Sequence, residues 1–173
     1  MPGPAGLPDR LAAPSPADPP MGQNRRVEVA DTLSFLLGTW SLDRSIEDYR
    51  GGREGSFTGV GAWTEEPGPG GEPGEGGACY HESGRLVLAT HEGLASRRLQ
   101  VERMSHGAVM LRFHDGRPFV DLDLGPGECR RVHTCGADRY EISFVVRARS
   151  LVEERWRVRG PQKDYAAITT LAR

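Results

Sequence analysis

Cysteine is scarce in this chain: Cys79, Cys129 and Cys135 are the only three in 173 residues. A small odd number fits a reducing compartment better than a disulfide-stapled secreted scaffold, so the expected location is cytoplasmic. Cys129 and Cys135 cannot bond along one straight strand, because six residues at about 3.3 Å each set them roughly 20 Å apart. An internal bridge would need Cys79. Long apolar runs are missing too, and nowhere do 18 apolar residues follow one another, so no helix spans a bilayer and no membrane partner is expected. Charge of one sign is also lacking: 22 basic against 24 acidic residues give a net charge of -2, which leaves no field favouring nucleic acid.

The first twenty residues are broken by proline throughout and lack the basic start and apolar middle of a signal peptide. Residues 1 to 26 hold little that is large and apolar, so they cannot repay the entropy of ordering and are expected to be disordered. Met21 is a plausible second start. Residues 27 to 173 then suffice for one domain with a single core, as a monomer or homodimer.

Asp31 is placed to cap a short helix through "TLSFLLG", with Leu33, Leu36 and Leu37 on one side and Gly38 ending it. Helical periodicity then disappears. Trp40, Leu42, Arg44 and Ile46 fall on one face of an alternating segment, with Ser41, Asp43, Ser45 and Glu47 on the other. "YRGGREG" supplies a hairpin turn, and "SFTGVGAWTE" continues with Phe57, Gly59, Gly61 and Trp63 in register, glycines that suit bends or close approaches. "EPGPGGEPGEGG" has the composition of a flexible acidic loop. Further strand signals follow at short spacing: "ACYHESG", "SRRLQVERM", "AVMLRFH", "FVDLDL", "CRRVHTC", "RYEISFVVRA", "LVEERWRV" and "YAAITTLAR". With hairpin-length turns and no intervening helices, these predict an all-β antiparallel up-and-down barrel of about ten strands.

The short helix leading into "GTW" resembles the start of the calycin superfamily, the lipocalins and fatty-acid-binding proteins. That resemblance implies that Trp40 packs at a closed end beneath a late arginine, Arg173 or Arg159. The set "LLGTWSLDRSI", "GVGAWTE", "YHESG", "FHDGRPFVDLDL", "HTCGADRY" and "RWRVRGPQKDYAAITTLAR" is similar to a bacterial lipocalin-like family of unestablished function. The likeness implies a fold and no activity. The glycine- and proline-rich loop between Trp63 and Ala78 departs from it as an insertion.

Every second strand residue shares a face, so polar residues in phase with apolar ones are expected inside: Arg44, Tyr80, Glu82, His133, Cys135, Tyr140, Lys163 and Tyr165. Unpaired buried charge is costly, and Arg44 with Glu82 is the natural internal pair. Trp63, Tyr80, Phe113, Tyr140, Phe144 and Trp156 supply aromatic walls. Asp115-Gly116 is a favoured turn pair flanked by Phe113 and Phe119, which could gate a cavity. Asp164 is adjacent to Lys163 and placed to hold it.

An amphipathic interior of this kind suits a small, mostly apolar ligand with an acidic or carbonyl handle. Arg44 and Lys163 would meet that handle, with Tyr80, His133 and Tyr140 as hydrogen-bonding groups. A barrel enzyme is the alternative: an isomerase, cyclase or hydratase using His133 with Asp138, or Glu82 as base beside Tyr80 and Arg44. Haem on His133 is a further alternative. No metal site is expected, because His133 and Cys135 lack enough partners at zinc-like spacing, and no cofactor is assigned.

Overall fold

The computed structural model describes residues 26–66 and 76–173. The expected disordered tail, Arg26 apart, and most of the glycine- and proline-rich loop lie outside the described residues. A five-residue helix α1 (Thr32–Leu36) precedes ten strands: β1 (Gly38–Asp48), β2 (Arg53–Glu65), β3 (Ala78–Leu88), β4 (His91–Arg103), β5 (Val109–Arg112), β6 (Pro118–Leu122), β7 (Glu128–Cys135), β8 (Asp138–Ala148), β9 (Leu151–Arg159) and β10 (Asp164–Ala172). Asp31 caps α1 by accepting from the Ser34 N–H at 2.7 Å.

All ten strands form one antiparallel sheet in the order β6-β5-β4-β3-β2-β1-β10-β9-β8-β7. Each strand except β6 pairs with the next in sequence, and β10 returns to pair with β1, so the sheet rolls into a nearly closed up-and-down barrel. Its seam falls between β6 and β7, where no ladder forms. Side chains bridge it instead: Arg131 Nε donates to Asp121 at 2.6 Å, and the Phe119 and His133 rings stand 5.1 Å apart. No helix among the described residues is long and apolar enough to cross a membrane.

β3 and β4 are longer than the strand signals in the sequence. They continue to a tight hairpin at Ala89 and Thr90, which brings Leu86 and Leu88 into the barrel wall at its open end. Inside, Phe57 lies over a flat patch made by Gly59 and Gly84, which face each other in the β2–β3 ladder. A Cβ on Gly59 would stand 2.3 Å from the Ser83 carbonyl oxygen, and one on Gly84 2.3 Å from that of Thr58. Both glycines therefore permit a close approach of the two backbones.

α1 and residues 27–29 close the end opposite those hairpins. Leu33 and Leu36 are buried, the Thr32 hydroxyl accepts from the Leu124 N–H at 3.0 Å, and the Val27 N–H donates to the Val146 carbonyl. The three cysteines are free, with Cys79 and Cys129 buried and Cys135 exposed.

Candidate ligand-binding site

Trp40 anchors the closed end. It is fully buried, its indole N–H donates to the Leu36 carbonyl at 2.7 Å, and the Arg173 guanidinium lies 4.2 Å from its ring centroid. Arg173 also donates to the Leu37 carbonyl. Arg159 pairs instead with Glu141 at 3.8 Å, near the opposite end.

Midway up the barrel sits a layer of charge. Arg44 grips Glu82 through both carboxylate oxygens at 3.1 and 3.2 Å, and its Nε donates to the Thr169 hydroxyl at 2.8 Å. Arg97 donates to Glu82 at 3.0 Å, and so does the Tyr80 hydroxyl at 2.7 Å. Glu154 approaches Arg44 at 3.5 Å. Two arginines and two glutamates leave this layer electrically balanced, which offsets the cost of taking the charges out of water. Burial alone would raise the Glu82 carboxyl, but the pull of Arg97 and the Arg44 hydrogen bonds outweigh it and hold the group at about 2. Burial, reinforced by Glu82, pushes the Tyr80 phenol well above its ordinary value.

Above this layer, at the open end, lies a cavity of about 400 Å³, a size that suits a small organic molecule. Ile46, Leu86, Leu88 and Ala167 give apolar walls, while Arg44, Arg97 and Trp156 lie at its inner end. The guanidinium of Arg97 rests 5.2 Å from the Trp156 ring and 5.8 Å from that of Tyr80. Tyr165 and Lys163 stand nearer the mouth with Arg50 and Arg53.

A model of one protein family covers residues 36–173 of this chain, nearly the whole barrel. The chain belongs to the family of unknown function DUF6314. No curated protein matches it. Among solved structures, the S-type phycobiliprotein lyase CPES from Guillardia theta superposes with a TM-score of 0.58 at 12% identity, over 82% of this chain and 89% of that one. A redesigned β-barrel, mFAP0, bound to DFHBI, gives 0.40 at 9% identity over 80% and 99% of the respective chains. At these identities the comparison concerns the fold alone.

Within this DUF6314 barrel, the sequence-derived candidates divide into three groups. Arg44, Trp156, Lys163 and Tyr165 line the cavity, and Tyr80 and Glu82 lie in the charged layer beneath it. Phe113, Phe119, His133, Tyr140 and Trp156 form a chain of aromatic contacts along the seam side, with centroids 4.9 to 6.2 Å apart. Cys135 is apart from both groups, exposed at the end of β7, because the strand stops there and the alternation that aimed it inward has no wall to face.

Two expected pairings are different in the structure. Asp164 pairs with Arg157, and Lys163, the chain's single lysine, is held by Asp138 at 2.7 Å and by the Tyr140 hydroxyl at 2.6 Å. Asp138 and Tyr140 raise the Lys163 ammonium above its ordinary range. Asp138 is thus engaged with Lys163, and no contact joins it to His133. His133 itself packs among Phe113, Phe119 and Tyr140 and is not part of the cavity wall.

Arg97 and Glu154 complete the charged layer and were not among the candidates. Their signal is the same alternation: Arg97 shares a face with Leu99 and Val101, and Glu154 with Val152, Trp156 and Val158. Each lies in a run of charge, "SRR" or "EER", that resembles a solvated surface.

Proposed function

We propose that the barrel binds a small, mostly apolar molecule at its open end, with one polar handle, a carbonyl or an acid, directed at Arg97 beside Arg44. The observation carrying this reading is the cavity itself: apolar walls lead down to an arginine with donors to spare. Glu82 engages only Nη2 of Arg97, and the Arg97 side chain keeps 29% of its surface accessible. Lys163 and Tyr165 border the mouth and would contact the exposed end of the ligand.

Acid–base catalysis finds less support. A carboxylate at about 2 that already accepts from three side chains is a poor proton acceptor near neutrality, and that description fits Glu82. The Asp138–His133 pair required by the other enzymatic reading is not assembled.

Native mass spectrometry of the full chain purified from its own source tests the proposal. A small-molecule adduct is expected, and it should disappear in Ala167→Phe, which fills the cavity wall. An adduct that persists in that variant, or a bare mass for the unaltered chain under conditions that preserve weak complexes, overturns it.

A further inference from the structure

Below the charged layer the barrel contains a second, smaller space of about 20 Å³, room for one water-sized sphere. Trp63, Arg97 and Trp156 all lie on its wall. In each of them a buried N–H finds no acceptor among the described residues: Nε1 of Trp63, Nε of Arg97 and Nε1 of Trp156. Buried donors of this kind are costly unless something accepts from them. Trp40, whose indole donates to Leu36, shows the ordinary solution.

Arg97 and Trp156 also line the outer cavity, so this stacked pair is the partition between the two spaces. Building on the binding reading above, we propose that the ligand's handle is an uncharged carbonyl, of the ketone, ester or amide type. Its oxygen enters as the Arg97 side chain shifts off the Trp156 ring, and it accepts from the indole N–H groups in the inner space.

Charge selects the uncharged handle over the acid. The layer already balances two arginines against two glutamates, and Glu154 lies on the wall of the inner space. A carboxylate seated there would add a third negative charge against two positive ones, close to Glu154 and screened little by water. A carbonyl oxygen satisfies the same donors and adds no net charge. Nearer the mouth, Arg53 is engaged by Asp48 and Lys163 by Asp138, while Arg50 donates to the Pro161 carbonyl and lies away from the inner space.

Three matched probes test this on the full chain: 2-acetylnaphthalene, 2-naphthoate and 2-ethylnaphthalene, titrated calorimetrically and by proton–nitrogen correlation spectra of the three tryptophan indoles. The ketone should bind about tenfold more tightly than either of the others, since one satisfied hydrogen bond is worth about that factor. The Trp63 and Trp156 indole signals should move on adding ketone while that of Trp40 stays in place. Trp63→Phe keeps the ring and loses the donor, so ketone affinity should fall towards that of ethylnaphthalene, whose own affinity is unchanged. Naphthoate binding as tightly as the ketone overturns the uncharged handle. A bound ketone that leaves Trp63 unmoved overturns the inner seat and leaves that space to water. Binding of ethylnaphthalene without ketone preference removes the handle but keeps the cavity, whereas no binding by any probe counts against both readings.

Discussion

Arg173 and Trp40 lock the last strand to the first: the guanidinium carbon stands 4.2 Å from the indole centroid, and Nη1 and Nη2 donate to the carbonyls of Leu37 and Arg149. The contact joins the C-terminal residue to the turn between α1 and β1, two parts of the chain that meet only when the sheet has rolled up. Arg173→Ala should therefore lower unfolding free energy by about 1–2 kcal/mol. Arg173→Lys should recover less than half, because an ammonium cannot stack and fork at once. Urea denaturation measures both, and an unaltered midpoint for the alanine variant would refute the locking role.

Glu82 links stability to pH. Its carboxyl is held at about 2 in the folded chain against an ordinary value of 4.5. A depressed folded value means the contribution is fully present above about pH 4.5 and is lost as pH falls towards 2, on the order of 3 kcal/mol in all. Glu82→Gln should flatten the acid limb of a stability-against-pH curve. At pH 7 it should cost about 3–5 kcal/mol, because Arg44 and Arg97 lose their shared partner. An acid limb as steep as that of the parent would show that other carboxylates carry it.

Gly59 and Gly84 make a sharper test of the barrel wall. Gly59→Ala or Gly84→Ala forces a methyl against a carbonyl oxygen of the neighbouring strand and against the Phe57 ring. Each should destabilise by about 1–3 kcal/mol. Phe57→Leu with Gly84→Ala should relieve only the ring part of that cost. Thermal melts of the single and double variants separate the two contributions.

Lys163 is the only lysine, so amine-reactive labelling reports on it and the N-terminus alone. Its hydrogen bonds to Asp138 and Tyr140 favour the ammonium, which does not acylate. Labelling at mildly alkaline pH should be slower than for a free lysine. Tyr140→Phe and Asp138→Asn should both accelerate it, the latter more. Equal rates in all three proteins, read by peptide mass mapping, would contradict the pairing.

The barrel itself was legible because its signals are local. Period-two alternation across Trp40, Leu42, Arg44 and Ile46, and turn pairs such as Asp115-Gly116, need no knowledge of distant residues. Which side chains share the interior was partly legible in the same way, and Arg44, Tyr80, Glu82, Trp156, Lys163 and Tyr165 follow from parity. Partnership was not. Asp138 reaches Lys163 only because β8, β9 and β10 pair in one particular register, whereas Asp164 is adjacent in sequence and points to Arg157. Arg97 and Glu154 were obscured by charged neighbours that face outward, although both stand in phase with apolar residues.

Ten strands in this sheet share nine ladders, so no backbone hydrogen bond fixes the circumference at β6 and β7. The barrel behaves as a split ring. The ion pair of Arg131 with Asp121 and the ring contacts of His133 with Phe119 and Phe113 span the gap, and Pro118 and these charges discourage another chain from pairing with the free edges. The girth at this point is therefore set by side chains and not by a ladder, and the aromatic residues that border the gap are the same ones that lead inward to Trp156.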